Sequence, residues 1–384
     1  MNKFISYGKQ LIEEDDINSV IDVLRSDYLT QGPKISEFEQ AICDYTKSKY
    51  CVVAANGTAA LHIAVAALNI DSGSQGITSP ITFAATSNSL IYNGLKPVFS
   101  DIDERTYNIG IDSLEKKISD KTKLLMPVHF AGQPADMEAI QRIAKKYNLK
   151  IIEDAAHAIG SKYKDGSCVG NCKYSDMTIF SFHPVKTITT GEGGAIATND
   201  SQLYQRLLLL RSHGITKDSK LLSENPGPWY YEMQNIGYNY RLTDLQAALG
   251  ISQIKKLEKF KRRRRDIVEQ YNKAFKKLNT ITIPYEDLEV DSCFHLYVLK
   301  IDFEKIGKDR KQFMEELRQK NIGTQVHYIP VHTHPYYKKI FGYKWGDFPK
   351  AEEYYRQALS LPLYPAMTDE DVEYVIQSFK EIIG

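Results

Sequence analysis

The sequence predicts an α/β protein, with a large domain around a central, mostly parallel sheet and a smaller C-terminal α/β domain. Two observations carry this. Short β-branched runs alternate with helical segments from about residue 50 to about residue 200, which is the pattern of a parallel sheet covered by helices. After about residue 255 the texture changes to a strongly charged helical stretch followed by a mixture of strands and helices. The expected division is therefore 1–255 and 256–384.

The elements follow in order. Ile17, Val20, Ile21 and Leu24 recur at helical spacing, as do Ile35, Phe38, Ile42 and Tyr45, so two amphipathic helices open the chain. The stretch "YCVVAANGTAALHIAVAALNI" reads as a short strand, an Asn-Gly break and an alanine-rich helix. The runs "KPVFSDID", "KLLMPVHF", "KIIEDAAHA" and "MTIFSFH" read as buried strands, and "ADMEAIQRIAKKYN" as a helix between two of them. "IKKLEKFKRRRRDIVEQYNKAFKKL" reads as one long helix, its Lys261–Arg265 run forming a solvated or interface surface. A strand ("FHLYVLKID") and two helices ("DRKQFMEELRQKN", "DEDVEYVIQSFKEII") complete the chain.

Composition excludes several classes of function. Lys+Arg number 49 and Asp+Glu 48, a net charge of +1, so no global field draws nucleic acid or a membrane surface. No stretch reaches the roughly 18 apolar residues of a membrane span, and the N-terminus has no signal-like apolar core. Five cysteines are a poor disulfide framework. Reduced thiols in a cytoplasmic protein are expected. Cys168 and Cys172 lack the second pair that a zinc site needs.

In a parallel sheet, ligands gather at the carboxyl ends of strands. Asp154, His129 and Ser181 fall near such ends. Lys186 lies between the strand-like "FSFH" and the glycine-rich "GEGG", a setting for a lysine whose lowered pKa allows Schiff-base chemistry. Asp154 reads either as a helix cap or as the buried acid that keeps a pyridine nitrogen protonated. His157, three residues on, is either a core histidine or a second contact to that ring. Gly57 and Thr58 open a helix, as an ordinary N-cap or as a phosphate site. Phe83 is either core or a cover for a flat ring. A Schiff-base lysine, an acid for a pyridinium, a phosphate cradle and an aromatic cover together describe pyridoxal 5′-phosphate (PLP).

The ordered series "LTQGPKISEFE", "NGTAAL", "ITFAATSN", "EDAAHAIGS", "FSFHPVK", "GEGGAIATND", "RSHGI" and "NYRLTDLQAALG" resembles the DegT/DnrJ/EryC1/StrS family of PLP-dependent nucleotide-sugar aminotransferases. The resemblance runs from about residue 4 to the C-terminal helix. It implies the type I aspartate-aminotransferase fold, with Lys186 bound covalently to PLP and Asp154 on the pyridine nitrogen. It further implies Gly57, Thr58 and Ser181 around the phosphate, His157 beside the ring and Phe83 stacked on it. Asn239 would reach the partner subunit's site in a homodimer. The implied substrates are a UDP-linked 4-keto-6-deoxy-N-acetylhexosamine and L-glutamate. The implied sugar contacts are Tyr7, the stretch Asp27, Tyr28, Leu29 and Thr30, and the stretch His327, Tyr328, Ile329 and Pro330. Arg241 reads as a diphosphate or sugar contact, or as a structural ion pair. His327, His332 and His334 belong to a substrate loop rather than a metal tripod, and no metal is expected. Related dehydratases carry histidine where this chain has Lys186.

Overall fold

The computed structural model describes residues 3–383. Helices α1 (Glu14–Leu24) and α2 (Pro33–Thr46) precede the sheet. Strands β1 (Tyr50–Ala54), β2 (Gln75–Thr78), β3 (Lys96–Phe99), β4 (Thr122–Met126), β5 (Lys150–Asp154), β6 (Met177–Ser181) and β7 (Gly194–Thr198) form a seven-stranded sheet in the order β1-β7-β6-β5-β4-β2-β3. The pairings β3–β2, β2–β4, β4–β5 and β5–β6 are parallel; β7 runs antiparallel to both β6 and β1. The sheet is thus mostly parallel, as predicted. The antiparallel β7 was hidden in "GGAIAT", whose small residues lack the β-branched signature of a strand.

Helices α3 (Gly57–Ala67), α4 (Ala84–Tyr92), α5 (Ile111–Lys116), α6 (Met137–Tyr147) and α7 (Ser201–Arg211) fill the connections. Strand alternation gives the sheet two cores. Val53, Leu125, Ile151 and Phe180 pack with Phe38, Ile42 and Ile140 on one face. Val52, Leu124, Ile152, Ile179 and Ile196 pack on the other, against the alanine-rich α3 and Leu203 and Leu207 of α7.

Of the two expectations for the charged stretch, one holds and one needs correction. It is one long helix as predicted, α9 (Leu257–Phe275), preceded by the separate α8 (Asp244–Ile254). The Lys261–Arg265 run is only in part a solvated surface: Arg262 is exposed, Arg263 and Arg265 are half-buried. Lys261 and Arg264 are buried, and Lys261 Nζ donates to the Gly160 carbonyl at 2.7 Å and to Asp291 at 2.6 Å. Five consecutive helical residues point around the whole circumference, so some must face inward. Long basic side chains accept that position by reaching carbonyls and carboxylates.

Beyond α9, Ile281–Thr282, Tyr297–Ile301 and Ala358–Leu361 form a separate antiparallel three-stranded sheet. Its core of Tyr271, Phe275, Tyr297, Phe313 and Phe379 includes Ile5 from the N-terminal segment. Ile5 donates to the Asn321 carbonyl at 2.9 Å and accepts from Gly323 at 2.7 Å, and the Tyr7 carbonyl accepts from Leu363 at 3.1 Å. No helix among the described residues is long and apolar enough to cross a membrane.

Where α8 crosses α2, a Cβ on Gly250 would lie 2.5 Å from the ring of the fully buried Phe38. Gly250→Ala is expected to destabilise the chain by about 1–3 kcal/mol through overpacking. A denaturant melt with an unchanged midpoint would show that the ring moves aside freely.

Candidate active site

The carboxyl ends of β5 and β6 open into a cavity of about 1210 Å³, which the N-terminal turns of α3 and α4 also line. Asp154 is the last residue of β5, and alternation points it toward the face covered by α3. Its Oδ2 accepts from Thr86 Oγ1 at 2.6 Å and its Oδ1 from the Ala156 amide at 3.1 Å. Thr86 spends its one proton there, so the Thr82 hydroxyl, 2.7 Å away, donates to Thr86. Asp154 is therefore a fixed acceptor at the cavity floor, not a helix cap.

Glu153 points the other way and is fully buried. Burial pushes its carboxyl up, but hydrogen bonds from His129, Ser175 and Tyr163 hold it below its ordinary value. His129 accepts from the Ala135 amide at Nδ1, 3.0 Å, so its Nε2 donates to Glu153 at 2.7 Å. The expectation that one site collects His129 with Asp154 and Ser181 is thus overturned: His129 serves the opposite face of the sheet.

Lys186 lies in the turn after β6, its amide donating to the His183 carbonyl at 2.8 Å. Its side chain lines the cavity. Burial lowers its pKa to about 8, against a weaker upward pull from Asp154.

Asn56 caps α3, its side chain accepting from the Ala59 amide at 2.8 Å. The amides of Gly57 and Thr58, at the first positions of the helix, are left without intrahelical acceptors. They meet the end of β6 closely: a Cβ on Gly57 would lie 3.0 Å from Ser181 Cβ and 3.1 Å from its Oγ. A Cβ on Gly194 would lie 2.5 Å from the Asn56 carbonyl oxygen. Free amides, a hydroxyl and a helix N-terminus make this corner an anion cradle.

Phe83 is 63% exposed and lines the cavity, its ring 6.2 Å from that of Tyr328, so it is not a core residue. His157 is buried with Nε2 at 2.9 Å from the Tyr328 hydroxyl. Its Nδ1 has no partner, and burial, Lys186 and His327 hold its pKa well below the ordinary value. An acceptor for a ring nitrogen, a lysine with a lowered pKa, an anion cradle and an exposed aromatic ring around one cavity fit PLP.

The remaining predicted residues divide. Tyr7, His327, Tyr328 and Ile329 line the cavity; Pro330 is buried outside its lining. Asp27, Tyr28, Leu29 and Thr30 are exposed and elsewhere. Asn239 is exposed in a bridge with Ser212, and neither it nor Arg241 reaches this cavity, whereas Tyr240 between them does. The three histidines of the loop separate: His327 Nδ1 meets Ser360 Oγ at 2.8 Å, His332 Nε2 meets Glu352 at 2.9 Å, and His334 lines the cavity. Sequence reasoning missed Thr86, His62 and His295, which also line it. Thr86 was the most findable, three residues after Phe83 on the first turn of α4. Among the described residues the lining contains no arginine, and its histidines (His62, His157, His183, His295, His327 and His334) are six of the chain's nine.

The sequence profile of the DegT/DnrJ/EryC1/StrS aminotransferase family matches residues 10–380. The chain is 45% identical to an uncharacterized protein of Methanocaldococcus jannaschii, over 99% of this chain and 98% of that one. It is 42% identical to the Bacillus subtilis spore coat polysaccharide biosynthesis protein SpsC, over 100% and 98%. Among solved structures it is similar to Helicobacter pylori PseC, an aminotransferase involved in the biosynthesis of pseudoaminic acid. The TM-score there is 0.92, with 33% identity and 99% of both chains covered. It is also similar to Spr1654 of Streptococcus pneumoniae, solved in PLP and PMP forms, with a TM-score of 0.90, 31% identity, and 99% and 98% covered.

With the cofactor absent, Lys186 is expected to be half deprotonated near pH 8, against the 10.5 of an ordinary lysine. Below that pH it is a cation and unreactive; above it the free amine is a nucleophile. Labelling with an amine-reactive reagent, read by mass spectrometry, should rise at Lys186 between pH 7 and 9, ahead of surface lysines. Labelling in step with the surface would refute the lowered value.

Proposed function

This chain belongs to the DegT/DnrJ/EryC1/StrS aminotransferase family, and we propose that it is the PLP-dependent transaminase acting at C4 of a UDP-linked 4-keto-6-deoxy-N-acetylhexosamine. The donor is L-glutamate and the product is UDP-4-amino-4,6-dideoxy-N-acetyl-β-L-altrosamine, a precursor of the pseudaminic acid that decorates flagellin. One observation carries the catalytic part: Lys186, the sole lysine lining the cavity among the described residues, shares it with Asp154 and the cradle at Gly57. The resemblance to PseC supports the sugar.

Bound in this cavity, PLP supplies an electron-withdrawing ring that takes up the charge left when an amino acid loses its α-proton. The residues do the rest. Gly57 and Thr58 amides with Ser181 would hold the phosphate; Asp154, fixed by Thr86, would keep the ring nitrogen protonated; Phe83 and His157 would contact the ring. Lys186 is the covalent anchor. Once displaced, its free Nζ is the base that takes the donor's α-proton, and it returns a proton to C4 of the sugar in the second half of the cycle. Tyr7, His327, Tyr328 and Ile329 belong to the sugar side; Pro330, buried behind them, does not reach it.

The exposed Asp27–Thr30 and Asn239 and the half-buried Arg241, all away from this chain's own cavity, are read as contacts to the partner's site in a homodimer. The exposed Tyr28, Leu29, Trp229, Met233 and Ile236 support such an interface. The chain divides into a cofactor-binding domain over 1–255 and a smaller domain over 256–384.

A second reading, transamination of another nucleotide-linked 4-keto or 3-keto deoxysugar, is favoured by the 42% identity to a spore coat polysaccharide protein. A panel of keto-sugar nucleotides separates the two. Protein loaded with PLP should lose its visible absorption on adding L-glutamate and regain it with the accepted keto sugar alone. Lys186→Ala should abolish turnover, and Asp154→Asn should reduce it by several orders of magnitude. Near-normal turnover in either variant would overturn that residue's role, and an unchanged spectrum with glutamate would overturn the donor.

A further inference from the structure

The innermost member of the basic run on α9 has no partner of opposite charge among the described residues. Arg264 is fully buried. Its Nη1 donates to the carbonyls of Phe294 at 3.5 Å, His295 at 3.2 Å and Leu363 at 2.8 Å, while Nε and Nη2 have no partner. Burial lowers the guanidinium pKa to about 10, which leaves it cationic at neutral pH. A buried cation satisfied only by carbonyls is expensive, and these carbonyls lie on two segments that lead to the cavity. Leu363 bonds to Tyr7, and His295 lines the cavity wall.

The turn that carries His295 is strained. Phe294 has φ of +46°, a left-handed conformation that a bulky residue keeps only when its surroundings over-determine it. The restraints are visible. The Phe294 amide donates to Ser292 Oγ at 3.1 Å, and the Arg265 guanidinium lies 5.4 Å from its ring centroid. From the other side, a Cβ on Gly132 would lie 2.9 Å from the His295 amide nitrogen. The turn delivers the His295 ring to 4.5 Å from that of His157, whose Nε2 meets the Tyr328 hydroxyl at 2.9 Å.

We propose that Arg264 is a positioning residue for this site: it holds the Phe294 turn, which sets His295 against His157 and, through His157, fixes the Tyr328 hydroxyl. Burial keeps the Tyr328 phenol protonated, and the direction of its 2.9 Å hydrogen bond with His157 Nε2 is set by the His157 tautomer. The groups around the histidine pair are Lys186, His327, Tyr328, Asp154, the Cys293 thiol that donates to the His157 carbonyl at 3.1 Å, and Arg264 itself. Burial first, then His157, Lys186 and Arg264, hold His295 in its neutral form. Removing the Arg264 cation therefore raises the pH at which His295 takes up a proton. This placement bears on turnover only if the cavity is the active site proposed above. The test reads the histidines directly, in protein without cofactor, and so stands apart from that reading.

The experiment is ¹⁵N-histidine NMR across pH on wild-type protein and Arg264→Met, with a thermal melt to establish folding. The expected result is a folded variant in which the His295 titration moves to higher pH and the His157 signals depart from the wild-type tautomer pattern. A folded variant with both histidines unchanged in tautomer and titration overturns the proposal. Should Arg264→Met fail to fold, His295→Gln with Arg264 intact decides: altered His157 signals support the chain of contacts, and unaltered ones break it.

Discussion

The site depends on three backbone segments meeting more closely than side chains permit. The start of α3, the end of β6 and the start of β7 converge at Asn56–Gly57, Ser181 and Gly194, where a Cβ on Gly194 would fall 2.5 Å from a carbonyl oxygen. Two glycines make that contact possible. It brings free amides beside a serine hydroxyl and sets the distance between the helix and Lys186, five residues beyond Ser181. The antiparallel insertion of β7 between β6 and β1 follows the same requirement, since it is the strand that brings Gly194 against the helix.

A second constraint is the parity of β5. Adjacent carboxylates emerge on opposite faces of one strand. Asp154 enters the cavity with two donors. Glu153 enters the core, where His129, Tyr163, Ser175 and Thr178 meet it. The first stays within reach of a ligand. The second ties the loop after β4 to the strand that carries the first: His129 donates its side-chain proton to Glu153 and its backbone proton to the Asp154 carbonyl at 3.0 Å.

Much of this was legible beforehand because it follows from period and position. Strand ends locate Asp154 and Ser181, and a lysine between a strand and a glycine run locates Lys186. What stayed illegible needs tertiary information. Nothing in "GYNYRLTD" says that Tyr240 turns inward while Asn239 and Arg241 face away. Thr86 looks like any threonine in the first turn of a helix. The break between α8 and α9 lies in a sequence whose helical periodicity hardly changes. Arg264 is the sharpest case: composition assigns a run of basic residues to water, and only the carbonyls converging at Phe294, His295 and Leu363 reveal an interior role.

The stitching of Ile5 and Tyr7 into the C-terminal part of the chain has a consequence for how the protein is made. These residues leave the ribosome well before Asn321, Gly323 and Leu363, to which they bond. Contacts so far apart in sequence close slowly and late. A nascent chain therefore holds the strands and the lysine well before it has a cavity wall at Tyr7, and synthesis must pass Leu363 before a finished pocket exists.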